Sequence, residues 1–189
     1  MYGRVSKTID QRNRTPIPMK PGREILQDYE YERCGMANIF LASEPLAGRR
    51  YVEVTERKTK VDWAVFVKRI ADEWYGGASK ITLVMDNFNT HKPSALYEAF
   101  EPKEAKRLWD RFEFIYTPKH GSWLNMAEIE LNVLMGQCLN RRIDQIATMQ
   151  RDVIAWETHR NNKRAVIKWQ FTTEDARVKL LKIYPSIQT

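Results

Sequence analysis

Two carboxylates stand out by where they fall in the chain. Asp86 follows the wholly apolar stretch Ile81–Met85 and opens a polar run of Asn87, Asn89, Thr90 and His91. An apolar run of that length predicts a central strand buried on both faces. In open α/β sheets, functional groups gather at the carboxyl edge of such strands. A carboxylate fixed there offers the hard oxygen ligand that a divalent cation takes. Asp86 and Asn87 are also good turn formers, so the turn after the strand accounts for them as well.

The second carboxylate, Glu128, lies on a helix predicted from 123 to about 141. Advancing about 100° per residue from Leu124, Leu131, Leu134, Met135 and Cys138 form its apolar stripe. Glu128 falls at the edge of that stripe, roughly 20° from Met135. Glu130 lies about 200° around the wheel from Glu128, so the two do not serve one metal site. The edge position favours Glu128, with a glutamate snorkelling past the stripe as the alternative for either. An acid at a strand end with an acid on a following helix suits two-metal phosphoryl transfer. There, two Mg²⁺ ions about 3.5–4 Å apart activate the attacking oxygen and stabilise the leaving one.

The elements that would position these acids follow from periodicity. Residues 36–43 (MANIFLAS) read as a strand, 44–50 as a turn with Pro45 and Gly48, and 51–55 as an alternating strand, together a β-hairpin. Trp63, Phe66, Val67, Ile70 and Trp74 recur at three- and four-residue steps, predicting a helix over 61–75 that stops at Gly76 and Gly77. A helix over 94–112 interrupted at Pro102 precedes another strand over 112–117. Helices over about 145–162 and from Thr172 close the chain, the last opened by the capping pattern of Thr172 and Asp175. The order is mixed α/β, an antiparallel part leading into crossover-connected strands.

At 189 residues the chain suits one buried core. Six Trp, eight Tyr and seven Phe supply large side chains for it. The net charge of +7 and pI of about 9.4 favour polyanionic partners, above all nucleic acid. Cys34 and Cys138 have no CxxC spacing, which excludes a disulfide framework and the usual zinc patterns; they read as packing residues. The three histidines form no HExxH pair, no apolar run reaches a membrane span, and the N-terminus has no secretory h-region. These features predict a soluble protein of the cytoplasm with no membrane partner.

Basic residues supply the remaining candidates. Residues 1–33 read as a basic, Pro-rich N-terminal arm, loosely held or in contact with DNA, and 34–189 as the core. His91, Lys119 and His120 flank the two acids, either to touch phosphates and orient substrate or as ordinary loop residues. Arg141 and Arg142, with Arg160, Lys163 and Arg164, make either a DNA-facing stripe or a solvated helix face.

The segments VMDNFNTH (84–91) and YTPKHGSWLNMAEIELNVL (116–134) resemble the second and third acidic motifs of mariner-type transposases. They are most similar to the bacterial insertion-sequence branch, the insertion sequence six-thirty family, described as DDE superfamily endonucleases. YEYERCGMANIFLASEPLAG and FTTEDARVKLLKIYP resemble the same branch, so the likeness spans nearly the whole chain. The resemblance implies a ribonuclease-H-like mixed sheet flanked by helices. It also implies metal-dependent DNA cleavage at transposon ends, and joining of the freed 3′ hydroxyl to a target, typically at TA. Mg²⁺ or Mn²⁺ is the implied cofactor, two ions in the complete family site. DNA is the implied substrate, a homodimer the active assembly, and the bacterial nucleoid the location. Asp86 matches the second acid and Glu128 the third, by way of Leu124 and Asn125, at a spacing longer than in the animal relatives.

The family's first acid aligns near Gly3, through the PIPMKPGR stretch at 16–23. Asp10 and Asp28 are the available substitutes, and the helix-turn-helix region that recognises transposon ends has no counterpart. The expectation is a core with a truncated first strand. It is then either an active endonuclease and strand transferase, or an inactive remnant that binds DNA or full-length transposase. The absent first acid favours the second for this chain alone.

Overall fold

Alternation extends further toward the N-terminus than the charge of that region suggests. In a computed structural model, which describes residues 1–12, 21, 31–86, 92, 94–118 and 124–181, Tyr2–Arg12 is a strand, β1. It pairs antiparallel with β2 (Tyr31–Glu44), from Tyr2 opposite Ala42 onward. The expected arm over 1–33 is therefore corrected over its first third. Val5, Thr8 and Ile9 are β-branched and favour the pleated conformation, and Tyr2 and Ile9 are buried. Residues 13–20 and 22–30, including Asp28, lie outside the described residues.

The hairpin forms as expected, with β3 (Arg49–Thr55) antiparallel to β2 and the sheet order β1-β2-β3. The register of β1 on β2 shifts between Ile9 and Asp10, which face Gly35 and Arg33. Cys34 is the extra residue of this bulge, and Gly35 takes the φ of +148° that the irregularity requires. Cys34 is exposed at this bulge, so it is not the packing residue expected.

β2 shows why its core sequence is apolar without alternation. Phe40 and Ala42 face one hydrophobic cluster, with Trp63, Phe66 and Ile70. Ala37, Ile39 and Leu41 face another, with Leu131, Leu134, Met149 and Val153. Both faces of the strand are covered, as such a run requires. The first cluster brings in α1 (Lys60–Arg69), capped by a reciprocal Thr59–Asp62 box, and the π-helical turn Ile70–Trp74. It also takes Leu96 of α2 (Ser94–Ala99) and Leu108 of α3 (Pro102–Arg111), the latter starting at the proline where the interruption was expected.

β4 (Ile81–Met85) pairs parallel with β5 (Phe112–Tyr116) as a two-stranded unit. The expectation that β4 is buried on both faces does not hold. Leu83 and Met85 enter the first cluster, but Thr82 is exposed and Val84 only half-buried. The helices of the second cluster lie against β1–β3 instead.

Those helices are α4 (Ala127–Gln137), shorter than predicted, and α5 (Ile146–Asn162). α5 also closes the free edge of β3. Gln150 donates to the Val54 carbonyl (3.2 Å), Glu157 accepts from the Val52 amide (2.9 Å), and Asn161 both accepts from and donates to the Arg50 backbone (2.9 and 2.8 Å). Side chains thus satisfy groups that an open edge would offer to other chains. The last helix, α6 (Thr173–Leu181), has the Thr172–Asp175 box expected of it. Among the described residues, no helix is long and apolar enough to cross a membrane.

Candidate active site

Asp86 leaves the carboxyl end of β4 with only 9% of its surface exposed. The parallel ladder runs one step past the strands, because the Thr117 amide donates to the Met85 carbonyl (3.0 Å). That step brings the Thr117 hydroxyl to Asp86 Oδ1 (3.4 Å). Asn125 Nδ2 donates to the same oxygen (3.2 Å). Among the described residues nothing bonds Oδ2, so Asp86 is fixed through one oxygen and open at the other.

Asn125 joins three elements. It is 1% exposed, and its Nδ2 also donates to the Tyr2 carbonyl on β1 (2.6 Å). Its Oδ1 accepts from the Ala127 amide (3.2 Å), one of the free amides of the first turn of α4. One buried amide therefore ties β1, the end of β4 and the start of α4 together. Spacing arguments passed over Asn125 as a linking residue of the motif. Its preference for the position just before a helix was the available signal.

That tie puts Glu128 near Asp86. Glu128 is half-buried, and its carboxyl is pushed above the usual range by burial and then by the negative charge of Asp86. Among the described residues, neither acid has a cationic partner, and the Glu128 carboxylate has no hydrogen bond. The Tyr2 phenol is also pushed up, by burial above all, against Arg4 and with a further contribution from Asp86. A half-buried carboxyl raised by burial and by a neighbouring carboxylate, with no cation beside either acid, fits one hard divalent cation. Among the described residues there is no group of three or more His, Cys, Asp or Glu that could hold a metal ion.

Gly3 packs against the same turn of α4. A Cβ there would sit 3.0 Å from Ala127 Cβ and 3.0 Å from Leu131 Cδ1. The strand position aligned with a first acid is thus beside the residue preceding Glu128, and it carries no side chain. Asp10 does not substitute for it. Seven residues further along β1, roughly 23 Å at strand rise, it donates its amide to Ile143 beyond the far end of α4.

Glu130, two residues after Glu128, has the opposite environment. It is 0% exposed, and Arg160 bonds both its oxygens, Nε to Oε1 at 2.7 Å and a terminal nitrogen to Oε2 at 3.2 Å. Arg50 Nε lies 2.9 Å from Oε1 as an ion pair, off the line of a hydrogen bond. Arg50, itself 1% exposed, also donates to the Gly48 and Ala165 carbonyls. Its burial was not foreseen because residue 50 was assigned to the turn over 44–50, whereas β3 starts at Arg49 and alternation puts Arg50 on the inner face with Val52 and Val54.

The basic candidates separate. His91, Lys119 and His120 lie outside the described residues. Arg141 and Arg142 follow the end of α4, which is itself about 14 Å along the helix axis from Glu128, so they do not join the acid pair. Arg141 is exposed and pairs with Asp152, while Arg142 is half-buried. Arg160 leaves the expected stripe for Glu130; Lys163 and Arg164 remain exposed. A family model described as DDE superfamily endonuclease matches residues 5–150, from within β1 into the first turn and a half of α5. No curated protein and no solved structure matches the chain.

Proposed function

This chain belongs to the DDE superfamily endonucleases, and we propose that it is the catalytic core of a mariner-type DNA transposase of the insertion sequence six-thirty branch. Its sheet and helices are then those of a ribonuclease-H-like fold, with β1 leading to the acid pair. Asp86 and Glu128 hold a Mg²⁺ or Mn²⁺ ion. The ion supplies charge neutralisation at the phosphate and activation of the attacking oxygen for DNA cleavage and strand transfer. The observation that carries this reading is the placing of two carboxylates, Asp86 and Glu128, together with no cationic partner among the described residues. Asn125 and Thr117 position Asp86 for it. His91, Lys119, His120, Arg141 and Arg142 are the proposed DNA contacts, and a homodimer the proposed assembly.

Gly3 favours a second reading, that the chain binds DNA or a complete transposase without cutting. With no acid at that position, two carboxylates hold one ion where the family chemistry uses two. Incubation of the protein with transposon-end DNA and Mn²⁺ separates the two. Metal-dependent cleavage that disappears in Asp86→Asn and Glu128→Gln supports the enzyme. Binding without cleavage, weakening steeply with salt, supports the second reading. Cleavage that survives both substitutions eliminates the site.

A further inference from the structure

The first turn of α4 is held at two points on opposite sides of its axis. Positions 128 and 130 lie about 200° apart around the helix. Glu128 faces Asp86, and Glu130 faces Arg160 and Arg50. Arg160 grips Glu130 as a fork, at 2.7 and 3.2 Å, and Arg50 adds an ion pair at 2.9 Å. Both arginines are themselves held. The Arg160 guanidinium lies 5.4 Å from the centre of the Trp156 ring, and the Trp156 indole N–H donates to Gln137 at the other end of α4 (3.0 Å). Arg50 donates to the Gly48 and Ala165 carbonyls and to the Asn161 side chain.

Apolar burial fixes the rotation of α4 only loosely. Leu131 and Leu134 are buried, but Ile129 and Val133 each stand about 160° around the axis from Leu131. Ile129 is 37% exposed and Val133 half-buried. A helix with apolar residues on both sides gains little from one rotation over a neighbouring one. The ion cluster does discriminate, because a buried carboxylate turned off its fork keeps the cost of desolvation and loses the pairing. A buried ion cluster adds little net stability over apolar side chains of the same volume. Its distinctive contribution is geometric.

The geometry matters at the other side of the turn. A carboxylate roughly 5 Å from the helix axis moves about 0.9 Å for each 10° of rotation. Metal–ligand distances tolerate only about 0.2 Å. We propose that Arg160 and Arg50, acting through Glu130, set the rotation of α4 and so place the Glu128 carboxylate where it shares a divalent cation with Asp86. All three are positioning residues of the metal centre, and none touches the ion. This inference rests on the reading of Asp86 and Glu128 as metal ligands.

The test titrates the intact protein with Mn²⁺ alone and follows free Mn²⁺ by electron paramagnetic resonance. Glu128→Gln abolishes the binding, which identifies the site. Arg160→Met weakens it by about tenfold or more. Arg160→Lys, which keeps the charge and loses the fork, weakens it as well. Removal of a cation near a cation site tightens binding if charge alone acts, so the sign separates position from charge. Val67→Ala, a cavity in the first hydrophobic cluster, lowers the urea midpoint and leaves the Mn²⁺ affinity at the wild-type value. Equal or tighter binding by folded Arg160→Met overturns the proposal. An equal loss in Val67→Ala overturns it too, by making stability the cause. If Arg160→Met does not fold, Arg160→Lys carries the same decision. Binding that survives Glu128→Gln removes the metal site and this inference together. Binding lost in Glu128→Gln but untouched by the Arg160 variants removes this inference alone.

Discussion

The first turn of α4 carries two glutamates with opposite environments. Glu130 is completely buried and meets two guanidinium groups, Arg160 through both oxygens and Arg50 through one. Glu128 is less buried, meets no cation among the described residues, and faces another carboxylate. Burial thus does not distinguish a structural acid from a proposed catalytic one here. What differs is whether the fold supplies the counter-charge. Glu130 is complete within the protein, and it locks the helix to β3 and α5. Glu128 on that locked turn, with Asp86, is incomplete, which leaves it free to take a charge from outside.

The largest expected effect comes from breaking the complete half of this pair. Glu130→Ala leaves the buried Arg50 guanidinium and the half-buried Arg160 guanidinium facing each other without a carboxylate. Loss of one partner from such a buried cluster costs about 3–5 kcal/mol, to be read as a lower midpoint in urea unfolding. Glu128→Ala should leave the midpoint nearly unchanged or raise it, since it removes a repulsion. Equal losses for the two variants would end the contrast. Asn125→Ala comes next, at about 1–3 kcal/mol. It strips bonds from the Tyr2 carbonyl, the Ala127 amide and Asp86 in one step. The same unfolding measurement, with the intact Asp86 and Glu128, shows whether the amide or the acids hold β1, β4 and α4 together.

Parts of this arrangement were legible in the sequence for physical reasons. The helical wheel separates Glu128 from Glu130 because side-chain direction on a helix is local geometry, and the two acids do face different surroundings. The hairpin, the break at Pro102 and the Thr172–Asp175 cap follow from turn and capping chemistry, which is also local. Arg50 was assigned to the turn over 44–50, although alternation with Val52 and Val54 puts position 50 on the inner face. Asn125 was not legible, because its burial depends on a partner more than a hundred residues away, Tyr2. β1 was obscured for a related reason. Its Arg4, Lys7 and Asp10 give it the charge of a solvated arm, and only its pairing with β2 makes it a strand. The exposure of Thr82 on an apolar-flanked strand likewise depends on which helices cover which strands.

A divalent cation should supply what the incomplete half lacks. Mg²⁺ or Mn²⁺ at about ten times its dissociation constant stabilises the protein by about 1.4 kcal/mol if it binds the folded state alone. Thermal unfolding with and without the ion measures this. The gain should vanish in Asp86→Asn and in Glu128→Gln, and persist in a surface variant such as Lys60→Gln, whose side chain pairs with Glu98. A gain that survives Glu128→Gln would move the ion elsewhere.

The smallest effect is in the pH dependence, and its sign is fixed by the direction of the Glu128 shift. Its carboxyl is held above the ordinary value of 4.5, first by burial and then by Asp86. The folded protein therefore keeps this proton more tightly than the unfolded chain. Below the ordinary value both forms are protonated and Glu128 costs nothing. As pH rises through the ordinary value toward the raised one, the unfolded chain releases the proton first and stability falls. Above the raised value the cost is constant. Subtracting the Glu128→Gln variant, which cannot titrate there, isolates this contribution, so wild type should lose ground to the variant across the carboxylate range. Asp86→Asn should shrink the slope by removing the second cause and leaving the first. With saturating Mg²⁺ the sign should reverse, because the ion binds the deprotonated pair. A difference that stays flat with pH would mean that Asp86 and Glu128 do not share a site.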